Sequence, residues 1–374
     1  MTWILRAGLA GMALLGLSRA AETQQGQAGL LARIDSVVAA EMQRTGTPGL
    51  TVAVEQRGEL LLAQGYGFAN LELSVPATVE TIYQIASITK QFTALAIMQL
   101  VDQGKVRLTD EITRFLPDYP AQGHRITIEH LLTHTSGIRD YTGLGPRFWS
   151  ELSRLDLSNQ QMLGLFQDEP FDFNPGEQYR YSNSGYFLLG LIVEKVTGSS
   201  LSKYFEENIF RALGLRSTSY CDFRAIVPRR ASGYAVVSGN VINAPPISIN
   251  VMGGAGAICS TVLDLLVWQR ALNQARLLSP GSRDRMRTAA TLNDGKSTGY
   301  GFGLGLGLVD GHRLIAHGGG VNGFMSWLGH YPEDDLTIVV LSNTGSVPAK
   351  NVGRQIGRVV LQLPLLTMVD PPLF

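Results

Sequence analysis

The chain has 374 residues, of which 45% are hydrophobic, and it carries 31 basic and 31 acidic side chains. This length and apolar content are enough for a large buried core, and the balanced charge gives no reason to expect a nucleic-acid partner. The 42 glycines follow no collagen-like or low-complexity period, which excludes a fibrous or repetitive chain.

The first twenty residues have the composition of a secretory signal peptide. Arg6 precedes an apolar stretch from Ala7 to Leu17, and small residues follow at Ser18 and Ala20. The sequence therefore predicts a signal peptide over residues 1–20, cut after Ala20, and a periplasmic or secreted mature protein. An uncleaved anchor is the alternative. The stretch is too short and too rich in glycine to favour a spanning helix, so no stable membrane insertion is expected.

The next segments predict a helix, two strands and then a mainly helical region. A helical pattern from about Leu30 to Arg44 precedes two strands joined at Arg57-Gly58. The segment from Ser87 to Gly104 predicts a buried helix, because it is apolar almost all round. Residues 109–215 read as helical pieces broken by Pro and Gly, including a helix from about Gly185 to Val196.

The last third of the chain predicts strands and a closing helix. Alternate glycines from Gly299 to Gly307 would share one face of a strand and allow close packing against its backbone. Asp310-Gly311 predicts a hairpin turn, and residues 323–343 predict a further hairpin. A helix near Ala349 to Leu361 closes the chain.

Taken in order, these elements predict an α+β fold of the three-layer α/β/α type. One antiparallel sheet is made from both chain ends, with the terminal helices on one face and the inserted, mainly helical region on the other. We expect a single domain over residues 21–374. Its sheet subdomain covers about 30–84 and 250–361, and its helical subdomain covers about 85–249.

Two cysteines, Cys221 and Cys259, are present. Export would permit a disulfide between them, but two buried free thiols are equally compatible with a core of this size. Neither their spacing nor their neighbours indicate a thiol nucleophile or a metal site.

Ser87 and Lys90 are candidates for a nucleophile and its base. A serine hydroxyl needs a base within hydrogen-bonding reach, and residues three apart at a helix start share a face. Burial lowers the pKa of a lysine toward the range in which its neutral amine can accept a proton. Ser200 and Lys203 have the same spacing, but Ser200 follows a Thr-Gly loop at a helix start and is interpreted as a cap.

Two further motifs could complete an acyl-transfer site. In "YRYSNSG", Tyr181 and Asn183 would point the same way from an extended segment. Tyr181 could move protons, and Asn183 could hold a substrate carbonyl. In "AHGGGVNG", His317 is followed by Gly318 and Gly319, whose backbone can approach a substrate.

These motifs, in this order, resemble those of the serine β-lactamase and penicillin-binding protein superfamily. The nearest branch contains class C β-lactamases, D-alanyl-D-alanine carboxypeptidases, D-aminopeptidases and related esterases. The segments "LLTHTSGI", "NPGEQYRYSNSGY", "GGAGAICSTVLDLLVW" and "HGGGVNGFMSWLGHYP" also resemble that family. The likeness covers about Leu30 to Leu361.

The resemblance implies roles for the matching residues. Lys90 would activate Ser87, and Tyr181 would share that role and protonate the leaving group. Asn183 would orient the scissile group. The backbone N–H groups of Ser87 and, by offset, Gly320 would form the oxyanion hole.

The third motif departs from the Lys-Thr-Gly of many members. His317 replaces a fixed cation with a residue that is mostly neutral at pH 7, and Gly318 removes a hydroxyl. The resemblance therefore favours members with His-x-Gly, which are peptidases and esterases. A solvent-facing polar residue at a strand end is the alternative for His317.

The expected function is an exported serine hydrolase that cleaves an ester or amide, with a small-molecule or peptide substrate and no cofactor. A β-lactamase proper is the alternative, and a non-catalytic protein that binds cell-wall fragments is the alternative of another class. His130 and His134 have a spacing that can bind zinc, but no third ligand cluster is visible, so a structural helix end is favoured and no metal is expected. The oligomeric state stays open.

Overall fold

The computed structural model describes residues 26–346 and 348–366. The predicted signal peptide at residues 1–20 lies outside these described residues. None of the helices within the described ranges combines the length and the apolar character that a bilayer crossing requires.

The strands of the described chain are β1 (Gly49–Gln56), β2 (Glu59–Asn70), β3 (Val75–Pro76), β4 (Tyr83–Gln84), β5 (Ser219–Tyr220), β6 (Tyr234–Val237), β7 (Asn240–Asn243), β8 (Ile258–Ser260), β9 (Gly305–Val309), β10 (His312–Val321), β11 (Phe324–Tyr331) and β12 (Leu336–Ser342). Within residues 26–346 and 348–366, seven of them form the main sheet in the order β3-β2-β1-β12-β11-β10-β9. Its neighbouring strands pair antiparallel, so the predicted sheet built from both chain ends is confirmed.

The helices are α1 (residues 26–45), α2 (Thr89–Asp102), α3 (Ile128–Leu132), α4 (Pro146–Ser150), α5 (Asn159–Leu163), α6 (Asn183–Thr197), α7 (Leu201–Phe205), α8 (Arg211–Leu213), α9 (Ile249–Gly256), α10 (Val262–Asn273), α11 (Pro280–Met286) and α12 (Ala349–Val360). A three-residue 3-10 turn, Ala86–Ile88, precedes α2, and a π-helical turn, Glu206–Phe210, joins α7 to α8. The main sheet is interrupted after β3. Its strands resume at β9, which begins at Gly305, after helices α9, α10 and α11.

The two faces of the sheet carry different helices, as the period-2 pattern of the strands requires. On β1, Leu50, Val52 and Val54 belong to the apolar cluster that contains α1 and α12. Ala53, which points to the opposite face, belongs to the larger cluster that contains α2, α6 and α10. The fold is therefore the predicted three-layer α/β/α arrangement.

Glycines allow α12 to lie close to the sheet. A Cβ atom on Gly353 would lie 2.1 Å from the Trp327 ring, and one on Gly357 would lie 2.7 Å from the Tyr331 hydroxyl oxygen. Both aromatic side chains come from β11 and are buried. The helix can therefore cover their rings only because these two positions have no side chain.

The prediction of a strand from Gly299 to Gly307 is wrong for the residues before Gly305. Gly299 and Gly303 have φ of +69° and +67°, and regular strand pairing begins only at Gly305. The close approach was predicted correctly, since a Cβ on Gly303 would lie 2.7 Å from the Lys90 carbonyl oxygen. Left-handed backbone at alternate glycines breaks the strand and presses this segment against the start of α2.

Cys221 and Cys259 form a disulfide across 38 residues. The bridge joins the residue after β5 to the middle of β8, and β8 also pairs with β4, the strand that leads to Ser87. A pairing that the sequence left open is thus present, next to the segment that positions the nucleophile candidate.

Removing this disulfide should lower the free energy of unfolding by about 2–4 kcal/mol, because it constrains a long loop in the unfolded chain. Replacing Cys221 and Cys259 together by serine, and measuring urea unfolding with and without a reductant, tests this. The reductant should destabilise the wild-type protein and leave the double variant unchanged. Equal midpoints for the oxidised and reduced wild-type protein would contradict the pairing.

Candidate active site

Ser87 lies in the 3-10 turn Ala86–Ile88, two residues before α2 begins at Thr89. The preceding residue, Ala86, has φ of +46°, a left-handed conformation that residues other than glycine rarely adopt. This conformation turns the chain sharply between β4 and α2. The predicted helix start at Ser87 is therefore two residues early, and the serine stands on a turn beside the helix N-terminus.

Lys90, in the first turn of α2, is completely buried beside Ser87. Its Nζ lies 3.1 Å from Ser87 Oγ, 2.8 Å from Asn183 Oδ1 and 2.9 Å from the Ala255 carbonyl oxygen. Burial lowers the pKa of Lys90 from 10.5 to about 7, although the Asp140 carboxylate acts in the opposite direction. A substantial fraction of the lysine is therefore a neutral amine at neutral pH.

The contacts of Lys90 give the lone pair of that amine a direction. A neutral amine has two N–H donors and one acceptor lone pair. The Asn183 amide oxygen and the Ala255 carbonyl can only accept, so they take the two N–H bonds. The remaining lone pair points to the Ser87 hydroxyl, which can donate to it. The arrangement suits proton transfer from serine to lysine.

Asp140 fixes the orientation of the Asn183 amide. Asn183 Nδ2 donates to Asp140 Oδ2 at 3.2 Å and to Thr142 Oγ1 at 3.3 Å. The Asn183 backbone N–H donates to Asp140 Oδ1 at 3.1 Å. Since a carboxylate only accepts, the amide nitrogen must face Asp140 and the amide oxygen must face Lys90.

Tyr181 lies over Lys90, with its ring centroid 4.7 Å from Nζ. Burial raises the pKa of Tyr181 well above 10, and a hydrogen bond with the Ser87 side chain opposes this only in part. The phenol therefore keeps its proton at neutral pH. It is suited to donate a proton, and the neighbouring amine is suited to accept one.

His317 is buried at the point where β9 ceases to pair with β10. Its Nδ1 donates to the Gly318 carbonyl, and its Nε2 lies 2.8 Å from the Tyr300 hydroxyl. Burial, followed by the nearby Lys90 charge, lowers the pKa of His317 to about 3. The imidazole is neutral at pH 7, and both of its nitrogens have partners within the chain.

Gly319 is the residue of β10 that packs against the 3-10 turn Ala86–Ile88, which carries Ser87. A Cβ there would lie 2.3 Å from the Ile85 carbonyl oxygen and 2.9 Å from the Ser87 backbone nitrogen. The same carbonyl accepts a hydrogen bond from the Ser326 hydroxyl at 2.7 Å. Gly318 and Gly320, on either side, are exposed. Any side chain at position 319 would push the strand away from Ser87.

The three predicted motifs thus converge on one place, and the Ser200–Lys203 pair lies apart from it. Ser200 is the N-cap of α7, where its hydroxyl accepts from the Lys203 backbone N–H at 3.3 Å. The interpretation of Ser200 as a cap is confirmed.

His134 belongs to the site, although the sequence analysis gave this histidine no role there. It lies beyond the end of α3, with φ of +58°, and it is buried. The Ser182 backbone N–H donates to its Nδ1 at 3.1 Å, and its ring lies 4.3 Å from the Tyr181 ring, between centroids. Burial and the Lys90 charge lower its pKa, so it stays neutral. His134 therefore holds the segment that carries Tyr181 and Asn183.

Within the described residues, no third ligand lies beside His130 and His134 to form the alternative zinc site. His130 Nδ1 accepts from the Thr127 backbone N–H as part of an N-terminal capping box. Among the described residues, no group of three or more His, Cys, Asp or Glu side chains is placed to hold a metal ion.

Substituting His134 should slow acylation of Ser87 through the Tyr181 segment. Asparagine tolerates a left-handed backbone and keeps an acceptor at the position of Nδ1, whereas alanine removes both the acceptor and the ring. We expect His134→Ala to lower the acylation rate by about tenfold and to destabilise the fold by about 1–3 kcal/mol. His134→Asn should recover most of the stability and part of the rate. Stopped-flow acylation and thermal unfolding measure the two effects, and an unchanged rate in His134→Ala would contradict the role.

Known proteins share this architecture. A family model described as beta-lactamase matches residues 34–360. Penicillin-binding protein 4* of Bacillus subtilis is 31% identical over 309 residues, which cover 78% of this chain and 67% of that protein. The octameric penicillin-binding protein homologue from Pyrococcus abyssi has a TM-score of 0.80 and 28% identity, covering 89% of this chain and 78% of that one. A D-stereospecific amidohydrolase from Streptomyces sp. has a TM-score of 0.75 and 27% identity, covering 86% of this chain and 96% of that one.

The chain belongs to the beta-lactamase family, because the family model spans most of its length. The resemblance to serine β-lactamases and penicillin-binding proteins is confirmed, and the family together with these relatives indicates a serine hydrolase. The chain spans about two thirds of the length of the curated relatives it matches.

Proposed function

We propose that this protein is an exported serine hydrolase that cleaves an ester or amide, either a D-amino-acid peptide or a carboxylic ester, through a Ser87 acyl-enzyme. The observation that carries the proposal is the buried Lys90 amine, 3.1 Å from Ser87 Oγ, with its other two contacts made to groups that only accept hydrogen bonds. Export rests on the leader-like composition of residues 1–20.

In this mechanism Ser87 Oγ forms a bond to the substrate carbonyl carbon as its proton passes to Lys90. The negative oxygen would be stabilised by the Ser87 and Gly320 backbone N–H groups, a contribution of about 3–4 kcal/mol per donor. When the bond to the leaving group breaks, Tyr181 donates a proton to that group and is reprotonated by Lys90. Water then attacks the ester carbon and gives a proton to the neutral Lys90 amine. As the bond from that carbon to Ser87 Oγ breaks and the carboxylic acid leaves, this proton passes to Ser87 Oγ.

The edge of β10 favours an extended substrate. Within the described chain, β9 pairs with β10 only from His312 to Ala316. The following segment, His317 to Val321, has no strand partner on that side among the described residues. An acyl chain with amide groups could add to this edge by backbone hydrogen bonds. The similarity to a D-stereospecific amidohydrolase supports a peptide or amide substrate.

The neutral state of His317 weighs against β-lactam antibiotics as the main substrate. Its pKa of about 3 leaves no positive charge at the third motif to attract a ring carboxylate at neutral pH. A β-lactamase proper therefore remains the second candidate, supported by the family match.

A single experiment separates these functions. The purified protein is incubated with 4-nitrophenyl butanoate, a D-alanyl-D-alanine peptide and nitrocefin, and intact mass is recorded beside turnover. We expect a mass increase that matches one acyl group, with turnover of the ester or the peptide above that of nitrocefin. Absence of an adduct and of turnover with all three would favour a non-catalytic binding protein and contradict the proposal.

A further inference from the structure

A cavity of about 320 Å³ lies beyond the end of β10, and the mechanism above does not use it. Two of its lining residues are close to the site in the sequence: Gln84 lies three positions before Ser87, and Asn322 lies two positions after Gly320. The other lining residues are Ile82, Phe223, Phe324 and residues 230–233 and 243–247. We call this cavity the acyl-side pocket.

The walls of the acyl-side pocket are fixed at several points. The disulfide from Cys221 to Cys259 holds the start of the loop 222–230. The end of that loop is held by Ile82, whose N–H donates to the Arg229 carbonyl and whose carbonyl accepts from the Ala231 N–H, each at 3.0 Å. The pocket is therefore a built feature of the fold.

The order of residues along β10 indicates which part of a substrate would face this pocket. Tyr181, the proposed proton donor to the leaving group, lies near His317, with 6.1 Å between ring centroids. The leaving group should therefore lie on the His317 side of the oxyanion donor Gly320, and the acyl group on the opposite side. Val321 ends β10 and Asn322 follows it in the turn, two residues beyond Gly320, so the pocket is within reach of a short acyl chain.

Arg230 gives the pocket a positive charge. It is the charged residue among those that line the pocket, and none of the described lining residues is acidic. Its Nη1 donates to the Asp222 carbonyl at 3.0 Å and to the Ala225 carbonyl at 3.4 Å. Its guanidinium carbon lies 5.7 Å from the Phe223 ring centroid. Nε and Nη2 keep the paired geometry that binds a carboxylate with two hydrogen bonds.

Two other polar side chains that line the pocket, Asn243 and Ser232, already form hydrogen bonds within the chain. Asn243 donates to Glu72 Oε1 at 2.8 Å, and Glu72 also accepts from the Tyr234 hydroxyl. Ser232 Oγ accepts from Asn70 at 2.9 Å. Arg230, together with the amides of Gln84 and Asn322 that line the same cavity, therefore provides the donors suited to an anion.

We propose that the acyl-side pocket binds a carboxylate on the acyl part of the substrate through Arg230, so that the enzyme prefers esters or amides of dicarboxylic acyl groups. This inference rests on the proposed function, because it assigns the acyl direction from Ser87, Tyr181 and Gly320. It names a substrate class that the three catalytic motifs leave undetermined.

The test compares 4-nitrophenyl monoesters of succinic, glutaric and adipic acid with the 4-nitrophenyl alkanoates of equal chain length. For at least one chain length, we expect kcat/KM for the carboxylate ester to exceed that for the neutral ester by about tenfold, the effect of one charge-assisted pair at a partly exposed site. The preference should fall as NaCl is raised, because the charge is accessible to solvent.

Two substitutions make the test specific. Arg230→Gln should abolish the preference, so that the carboxylate and neutral esters of equal chain length have the same kcat/KM in this variant. Arg224→Gln removes an exposed arginine of the same loop that does not line the pocket, and it should keep the preference. Loss of the preference in both variants, or no preference in the wild-type protein, would overturn the inference.

Failure of the inference can be distinguished from failure of the proposed function. If neutral esters acylate Ser87 but carboxylate esters show no advantage, only the role of Arg230 is refuted. If no ester forms an adduct in the wild-type protein, the acyl-enzyme itself is refuted, and the inference with it.

Discussion

Replacing Ser87 with alanine will abolish the covalent acyl adduct and lower turnover by about four orders of magnitude or more, because no other group can form the acyl-enzyme bond. The loss of one hydroxyl from a turn costs little packing, and Lys90 keeps its contacts to Asn183 and Ala255. We therefore expect a folded protein with an unchanged circular dichroism spectrum. Intact mass after incubation with an acylating ester measures the adduct directly.

The chain provides a matched control in Ser200, which has the same three-residue spacing to a lysine, Lys203. Ser200→Ala removes an N-cap and should destabilise α7 by about 1 kcal/mol without changing adduct formation. An adduct of equal yield in Ser87→Ala, or its loss in Ser200→Ala, would show that the nucleophile was assigned to the wrong serine.

Much of the fold could be predicted because its elements have strong local signals. The turns at Arg57-Gly58 and Asp310-Gly311 join β1 to β2 and β9 to β10 as predicted, because these residues suit tight turns. Helix α2 was recognisable from its apolar length, and α12 from its place after the last hairpin. The glycine segment before β9 failed because alternation alone does not reveal a left-handed backbone.

The contacts around the candidate nucleophile could be predicted only in part. The sequence motifs of the family predicted four of the site residues, which are Ser87, Lys90, Tyr181 and Asn183. Asp140, His134 and the Ala255 carbonyl act through distances between segments that lie far apart in the sequence. A backbone carbonyl has no sequence signal at all. His134 was visible as half of a histidine pair and within the family-like segment "LLTHTSGI", but neither signal gave it a role, and its left-handed backbone takes it away from the helix that the pair suggested.

Burial shifts the pKa values of Lys90 and Tyr181 in opposite directions and so gives these two groups different roles. Burial moves the pKa of Lys90 down to about 7 and moves the pKa of Tyr181 up, well above 10. Near neutral pH the amine can therefore accept the Ser87 proton, and the phenol can donate one to the leaving group. The neutral His317 and His134 add no positive charge that would repel the protonated form of Lys90.

Lys90→Met should lower the acylation rate by about 10³-fold, because it removes the general base but keeps a flexible side chain of similar length. In the wild-type protein, the acylation rate should rise with pH through about 7, where Lys90 loses its proton. The variant should lose this step. Single-turnover acylation is measured from pH 5 to pH 9, a range centred on the Lys90 pKa of about 7. It gives the acylation rate of each protein and the pH dependence of that rate. A rise near pH 7 that persists in Lys90→Met would assign the titration to another group.

The same substitution should make the protein more stable at pH 7. The pKa of Lys90 is about 7 in the folded protein and near 10.5 in the unfolded chain, so the unfolded chain binds the proton more tightly. This difference destabilises the native state fully below pH 7, and the penalty disappears as the pH rises to 10.5. Methionine carries no such penalty. The midpoint of thermal unfolding of Lys90→Met should therefore exceed that of the wild-type protein at pH 7, by a margin that narrows toward alkaline pH. A variant that is less stable at pH 7 would show that the hydrogen bonds of Lys90 to Asn183 and Ala255 outweigh the cost of burying its amine.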